Sequence, residues 1–161
     1  MFSIEEIIED NTKEQLKALN IDYYTKTQKI NAEIDSALAK YPSKSGGMGK
    51  NYPDIKLFLQ TNALRKIPVM IEIKGTKGKL AKLKNDEVEN LSDKGKMLFK
   101  NISEYALNGA VHYANAILDY TYSYDEVIAH GINGYYKDET KERHHYRIRL
   151  LLSQSQKSFN A

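Results

Sequence analysis

Two stretches decide how this chain is read: Pro53-Asp54-Ile55-Lys56-Leu57-Phe58-Leu59-Gln60 and Pro68-Val69-Met70-Ile71-Glu72-Ile73-Lys74. In the first, Ile55, Leu57 and Leu59 alternate with Lys56, Phe58 and Gln60, and the second is continuously apolar up to Glu72. Both patterns predict strands, and the intervening Thr61-Asn62-Ala63-Leu64-Arg65-Lys66 predicts an antiparallel hairpin with a medium loop. In a hairpin the start of one strand lies beside the end of the other, so Asp54 and Glu72 are expected at one sheet edge. Side chains alternate faces with period two, which puts Glu72 and Lys74 on the same side and turns Ile71 and Ile73 into a core. Two carboxylates and an ammonium then surround one point.

Two carboxylates buried side by side repel, and one takes up a proton unless a cation intervenes. Mg²⁺ suits such a place, because it prefers hard oxygen ligands and is typically held by one or two carboxylates, with water and phosphate oxygens completing its shell. The expected metal ligands are Asp54, Glu72 and the backbone carbonyl of Ile73. Lys74 is placed to orient a nucleophile or to offset transition-state charge, and the chemistry expected is phosphodiester hydrolysis.

Outward from these strands, Ser3-Ile4-Glu5-Glu6, Thr12-Lys13-Glu14-Gln15 and Thr25-Lys26-Thr27-Gln28 have capping-box form and predict three N-terminal helical segments. The third carries Ile30, Ile34, Leu38 and Tyr41 on one stripe until Pro42 ends it. Ser43 to Lys50 is a loop, with glycine at positions 46, 47 and 49. Gly95 to Tyr120 reads as one long amphipathic helix with Gly109 on or near its buried face. Glu126–Gly131 and Tyr146–Leu152 read as strands joined by a polar turn from Asn133 to Arg143. The fold class expected is α/β, a mixed central sheet of four to five strands flanked by helices, with a crossover helix making one pairing parallel.

The chain has 161 residues, a length that suits one domain, and 41% hydrophobic with 28% charged residues is a globular composition. No apolar run reaches the ~20 residues needed to cross a bilayer. The N-terminus is acidic where a signal peptide would be basic. A soluble, cytoplasmic protein with no membrane partner is expected. Zero cysteines exclude disulfides, thiolate zinc sites and a cysteine nucleophile. The net charge of +3 conceals a segregation, because residues 74–84 hold five of the 24 basic residues and no acid, leaving 19 basic against 21 acidic groups elsewhere. Lys77, Lys79, Lys82 and Lys84 are therefore expected to contact nucleic-acid phosphates beside the acids.

Pro53-Asp54 followed by Glu72-Ile73-Lys74 resembles the signature of the PD-(D/E)xK nuclease superfamily, and the order of elements is similar to the N-terminal endonuclease domains of fused restriction-modification polypeptides. The resemblance covers roughly residues 25–152. It implies a restriction-endonuclease-like core and a Mg²⁺-dependent endonuclease, Mn²⁺ substituting, that cuts double-stranded DNA. It implies catalytic roles for Asp54, Glu72 and Lys74, with a further acid from the preceding helix, best matched by Glu33 and less well by Asp35. It also implies methyltransferase and target-recognition domains as partners, and a dimer for double-strand cleavage. The expected organisation is a single domain over 1–152, with 1–24 a helical extension and 153–161 a tail or linker.

Glu139-Thr140-Lys141 also fits the short motif, but no apolar strand surrounds it. Asp54-Ile55-Lys56 would need an earlier strand bearing an acid. The plainer readings are an Asp54 turn cap and a Glu72–Lys74 salt bridge in a structural α/β domain. A second functional reading is a silent nuclease-fold module that binds nucleic acid or a partner protein. His112 and His130 are expected to be structural, and His144-His145, adjacent on a strand, are ill-placed to chelate together. The acidic Asp86-Glu87-Val88-Glu89 has no role in this reading.

Overall fold

A computed structural model describes residues 1–136 and 144–154. The elements in chain order are α1 (Ile4–Ala18), β1 (Tyr23–Thr25), α2 (Ala32–Lys40), β2 (Ile55–Gln60), β3 (Lys66–Lys74), β4 (Leu83–Lys84), β5 (Glu87–Val88), α3 (Phe99–Glu104), α4 (Ala106–Tyr120), β6 (Glu126–Tyr136) and β7 (His144–Gln154). The Glu139-Thr140-Lys141 triplet and residues 155–161 of the expected tail lie outside the described residues, as do the side chains of His144 and His145.

The central sheet has the order β1-β2-β3-β6-β7. The β2–β3 hairpin is antiparallel with Ile55 opposite Ile71, and β3 pairs with β6 in parallel, with Glu72 opposite Gly131. The expected α/β class is therefore borne out, as a five-stranded mixed sheet flanked by helices. Period-two alternation divides the apolar residues between two cores. Ile55, Leu57, Val69, Ile71, Ile73, Ile128 and Ile132 face α1 and enclose Ile8, while Met70, Val127 and Ala129 face α4 and α2. Residues 1–24, read from sequence as an extension, thus supply one wall of the core, and β1 supplies the edge strand beside β2.

Several elements differ from expectation. Thr12 lies inside a continuous α1, which is opened by the Ser3–Glu6 capping box. Thr25 ends a strand instead of capping a helix. The Gln28 carboxamide accepts the Thr25 N–H at 2.9 Å as a capping box would, yet α2 starts later, where Asn31 caps Ile34 N. The long helix is broken at Tyr105, whose backbone is extended at φ −114° and ψ 135°. The break creates a fresh helix N-terminus, and the carbonyls of Lys79 and Leu80 accept its first N–H groups from Ala106 and Leu107 at 2.9 and 2.8 Å. α4 is buried on nearly every side, unlike the amphipathic helix expected. β6 continues to Tyr136, so the polar turn does not begin at Asn133.

The acidic Asp86–Glu89 stretch belongs to the small β4–β5 hairpin, turned by Asn85 and Asp86 at φ 51° and 62°. Two such residues in a row suit a tight primed turn, for which Asn and Asp are among the favoured types. Reciprocal bonds between Asn108 and the Lys82 backbone, at 2.8 and 3.1 Å, dock this segment on α4. No helix among the described residues is long and apolar enough to cross a membrane.

Candidate active site

The hairpin register does what its sequence pattern demands. Asp54 precedes β2 and Glu72 is the third residue from the end of β3, so the two meet where the strands begin and end together. Asp54 Oδ2 accepts the Ile73 N–H at 2.8 Å, a buried bond that locks the first acid against the strand bearing the second. A residue's N–H and C=O leave an extended strand on the same side, so the Ile73 carbonyl also points toward Asp54. Glu72 and Lys74 share the face that packs on α4, and Lys74 Nζ stands 3.5 Å from Glu72 Oε1.

α4 approaches closely because of Gly109. A Cβ there would lie 3.2 Å from both Glu72 Cγ and Ile102 O. Gly109→Ala favours the helix intrinsically by roughly 1 kcal/mol, so little change in melting temperature is expected. The added methyl must displace the Glu72 stem or the Ile102 carbonyl by a few tenths of an ångström, and a shifted Glu72 carboxylate at near-native stability is the expected outcome. Thermal melting paired with a divalent-ion titration checks it.

Two lysines that the motif did not indicate complete the cluster. β1 runs antiparallel to β2 with Thr25 opposite Ile55, which brings the next residue, Lys26, to Asp54 Oδ1 at 2.8 Å. Lys44, from the glycine loop, bonds Glu72 Oε1, and its ammonium stands 5.5 Å from the Tyr113 ring centroid. Glu72 is only 2% exposed, and its Oε2 is buried with no hydrogen-bond partner among the described residues. Burial pushes the Glu72 carboxyl up and the Asp54 charge adds to it, while Lys44 and Lys74 only partly offset the rise. Burial, reinforced by the charges of Glu72 and Asp54, holds the Tyr113 phenol well above its ordinary value. Burial acts against the Lys26 ammonium, but its bond to Asp54 and the charges of Asp54 and Glu72 outweigh this and raise it.

A buried carboxylate oxygen without a partner among the described residues needs an explanation, and a bound ion or water is one. Asp54, Glu72 and the Ile73 carbonyl form an all-oxygen donor set of the kind Mg²⁺ accepts, and two carboxylates leave room for water and phosphate oxygens. Among the described residues no three His, Cys, Asp or Glu side chains converge as a metal site, so a cation here would rely on that mixed set.

Other predicted residues are placed elsewhere. Glu33 accepts the N–H groups of Tyr122 and Ser123 at 2.7 and 2.9 Å, just beyond the C-terminus of α4. Gly109 marks the cluster near the other end, about 18 Å away along the axis at 1.5 Å per residue. Glu33, the acid that the resemblance implied, is therefore not brought to Asp54 and Glu72, because α2 turns it toward the chain leaving α4. Asp35 accepts the Ile30 N–H at 3.3 Å. In the Lys-rich segment, Lys79 pairs with Glu104 and Lys84 with Asp93, both at 2.7 Å, and Lys77 lies 6.0 Å from the Tyr135 ring centroid. The Lys82 backbone is anchored to Asn108. The segment's field is smaller than its lysine count implies. His112 is buried and its Nε2 donates to Pro42 O at 2.7 Å; burial holds its pKa down. A cavity of about 650 Å³ lies on the opposite, α1-facing side of the sheet, lined by Leu57, Val69, Ile71, His130 and Ile132, and none of the clustered acids or lysines borders it.

Over 111 residues, 69% of its length, the chain is 33% identical to the protein named type II restriction enzyme and methyltransferase RM.BcgI of Heyndrickxia coagulans. The likeness is to a restriction-system protein. The chain spans 16% of that relative's length, and the similarity is consistent with one domain of such a system. No family model matches the chain, and no solved structure does.

Proposed function

We propose that this domain is a Mg²⁺-dependent endonuclease of the PD-(D/E)xK type that hydrolyses DNA phosphodiester bonds as the cleavage part of a restriction-modification protein. The observation that carries the reading is the Asp54–Ile73 bond, which sets Asp54, Glu72 and Lys74 around one point beside an unpartnered carboxylate oxygen. The likeness to a restriction enzyme and methyltransferase supports the setting, and double-stranded DNA and an attached methyltransferase are the partners it suggests.

Asp54, Glu72 and the Ile73 carbonyl would hold the metal. Bound there, Mg²⁺ would supply charge neutralisation at the phosphodiester and a more acidic water. The protein's own part is positional. The backbone bond to Ile73 fixes the Asp54 carboxylate, Gly109 leaves the Glu72 stem its place beneath α4, and Lys74 presents an ammonium on the same face as Glu72. In the net reaction a water oxygen bonds phosphorus, one ester P–O bond breaks, and the leaving oxygen takes a proton.

Asp54→Ala removes a carboxylate, the acceptor of Ile73 N–H and the partner of Lys26 together. Mg²⁺-dependent nicking of plasmid DNA by the full chain is expected to fall on the order of 10³-fold. Equal cleavage by the two proteins would overturn the assignment. DNA binding without divalent-ion binding would favour the silent-module reading.

A further inference from the structure

The described cluster holds three ammonium groups, Lys26, Lys44 and Lys74, against two carboxylates, Asp54 and Glu72. A pair needing only internal neutrality would not gather a surplus cation in a half-buried place. Lys44 and Lys74 both engage Glu72 Oε1. Lys26 occupies Asp54 Oδ1, the oxygen that Ile73 leaves free. Asp54 therefore has no oxygen open to a divalent cation while Lys26 stays, and a cation on the open Oε2 of Glu72 shares that carboxylate's single charge with Lys44 and Lys74, so it competes electrostatically with the ammonium groups already seated there.

Resting on the reading of this site as a metal-dependent phosphodiesterase, we propose that Lys44, assisted by Lys26, is an exchangeable counter-ion that leaves its carboxylate for the DNA phosphate when the metal binds. The loop bearing Lys44 is built for that exchange. Its base is fixed, since Asn51 Nδ2 donates to the carbonyls of Leu38, Tyr41 and Pro42 at 3.0–3.1 Å and His112 donates to Pro42. Ser43 closes the turn through Gly47 O at 3.1 Å and, by its hydroxyl, Gly46 O at 2.7 Å. Gly46 and Gly47 take φ of 87° and 91°, open to glycine without strain. The backbone can stay still while the Lys44 side chain, 23% exposed, swings on its flexible stem. The Tyr113 ring face lies beside the ammonium and stabilises it near the carboxylate it leaves.

Once displaced, the Lys44 ammonium is a partly buried cation without its partner, and a phosphodiester beside the metal is the anion that restores one. Lys26 is more exposed, at 55%, and follows the same logic at Asp54. By contrast, Lys79 and Lys84 of the Lys-rich run sit on surface acids away from this pair.

Lys44→Met in the full chain separates the two roles. Removing a competing cation is expected to tighten Mg²⁺ binding, read by calorimetry, by about 5–10-fold. Duplex DNA binding, read by fluorescence anisotropy with Ca²⁺ in place of Mg²⁺, is expected to weaken about 10-fold. The slope of log affinity against log salt should lose roughly 0.9, the value of one phosphate contact. Lys44→Arg should restore the DNA slope. Unchanged Mg²⁺ affinity in Lys44→Met overturns the exchange, and an unchanged salt slope overturns the phosphate contact, each leaving the endonuclease reading intact. A wild-type chain that binds no divalent ion overturns both.

Discussion

Glu72→Gln is expected, on the proposed nuclease reading, to abolish metal-dependent cleavage while making the metal-free protein more stable above neutral pH. The first effect follows from the donor set. Gln keeps the shape of Glu but lacks its charge, so a divalent cation loses one of two anionic ligands, and a fall in cleavage on the order of 10³-fold or more is expected. The second follows from burial. Glu72 is 2% exposed, and desolvation, with the Asp54 charge behind it, raises its carboxyl pKa above the ordinary 4.5. A carboxyl that holds its proton more tightly in the folded than in the unfolded chain costs stability once ionised. That cost is absent below pH 4.5 and grows as pH rises from there through the folded value. Wild type and Glu72→Gln should therefore melt alike near pH 4, with the variant melting higher at pH 8. Mg²⁺ should raise the melting temperature of the wild type, by preferential binding to the folded state, and leave the variant unmoved. A variant that melts lower than wild type at pH 8 would mean that the lysines around Glu72 depend on its charge more than the buried carboxyl suffers from it.

The hairpin, the meeting of Asp54 with Glu72 and the parallel β3–β6 pairing were legible because each follows from period-two alternation and short-range connectivity. Lys26 and Lys44 were not. Lys44 comes from a loop 28 residues before Glu72, and nothing local distinguishes a lysine that folds back on an acid from one that faces water. Lys26 is aimed by the β1–β2 register, which was hidden because Thr25-Lys26-Thr27-Gln28 has capping-box form. The Gln28 side chain makes the expected bond, but tertiary pairing with β2 won over helix initiation. The break at Tyr105 was invisible for a related reason: its helix start is satisfied by main-chain carbonyls of residues 79 and 80, and a main-chain cap leaves no signature in side-chain chemistry. The lysine run was legible as positive charge, but the acids that reach two of its lysines, Glu104 from α3 and Asp93 from the loop after β5, were not.

Gly131→Ala carries the largest structural effect expected. Gly131 lies opposite Glu72 in the β3–β6 register, on the face covered by α4. A Cβ at this position would stand 2.6 Å from Leu107 N, 2.8 Å from Leu107 Cα and 3.0 Å from Ala106 C. These are backbone atoms of a helix start, and no side-chain rotation can clear them. α4 cannot shift freely either, because its first N–H groups are held by Lys79 and Leu80 and Asn108 is tied to Lys82 and Asn90. Overpacking that forces backbone shifts costs about 3 kcal/mol at the upper end of the usual range, which for a chain of this size corresponds to a fall in melting temperature on the order of 10 °C. The contrast with Gly109 is one of degree: an added Cβ there meets the Glu72 stem and the Ile102 carbonyl at 3.2 Å, contacts that can yield by a few tenths of an ångström, whereas at Gly131 it meets helix backbone at 2.6 Å. If α4 lifts from Gly131, the space that Gly109 keeps for Glu72 changes with it, so on the proposed metal-site reading Gly131→Ala should lose Mg²⁺ affinity as well as stability. An unchanged melting temperature would show that the helix start yields more readily than its four main-chain and amide ties imply.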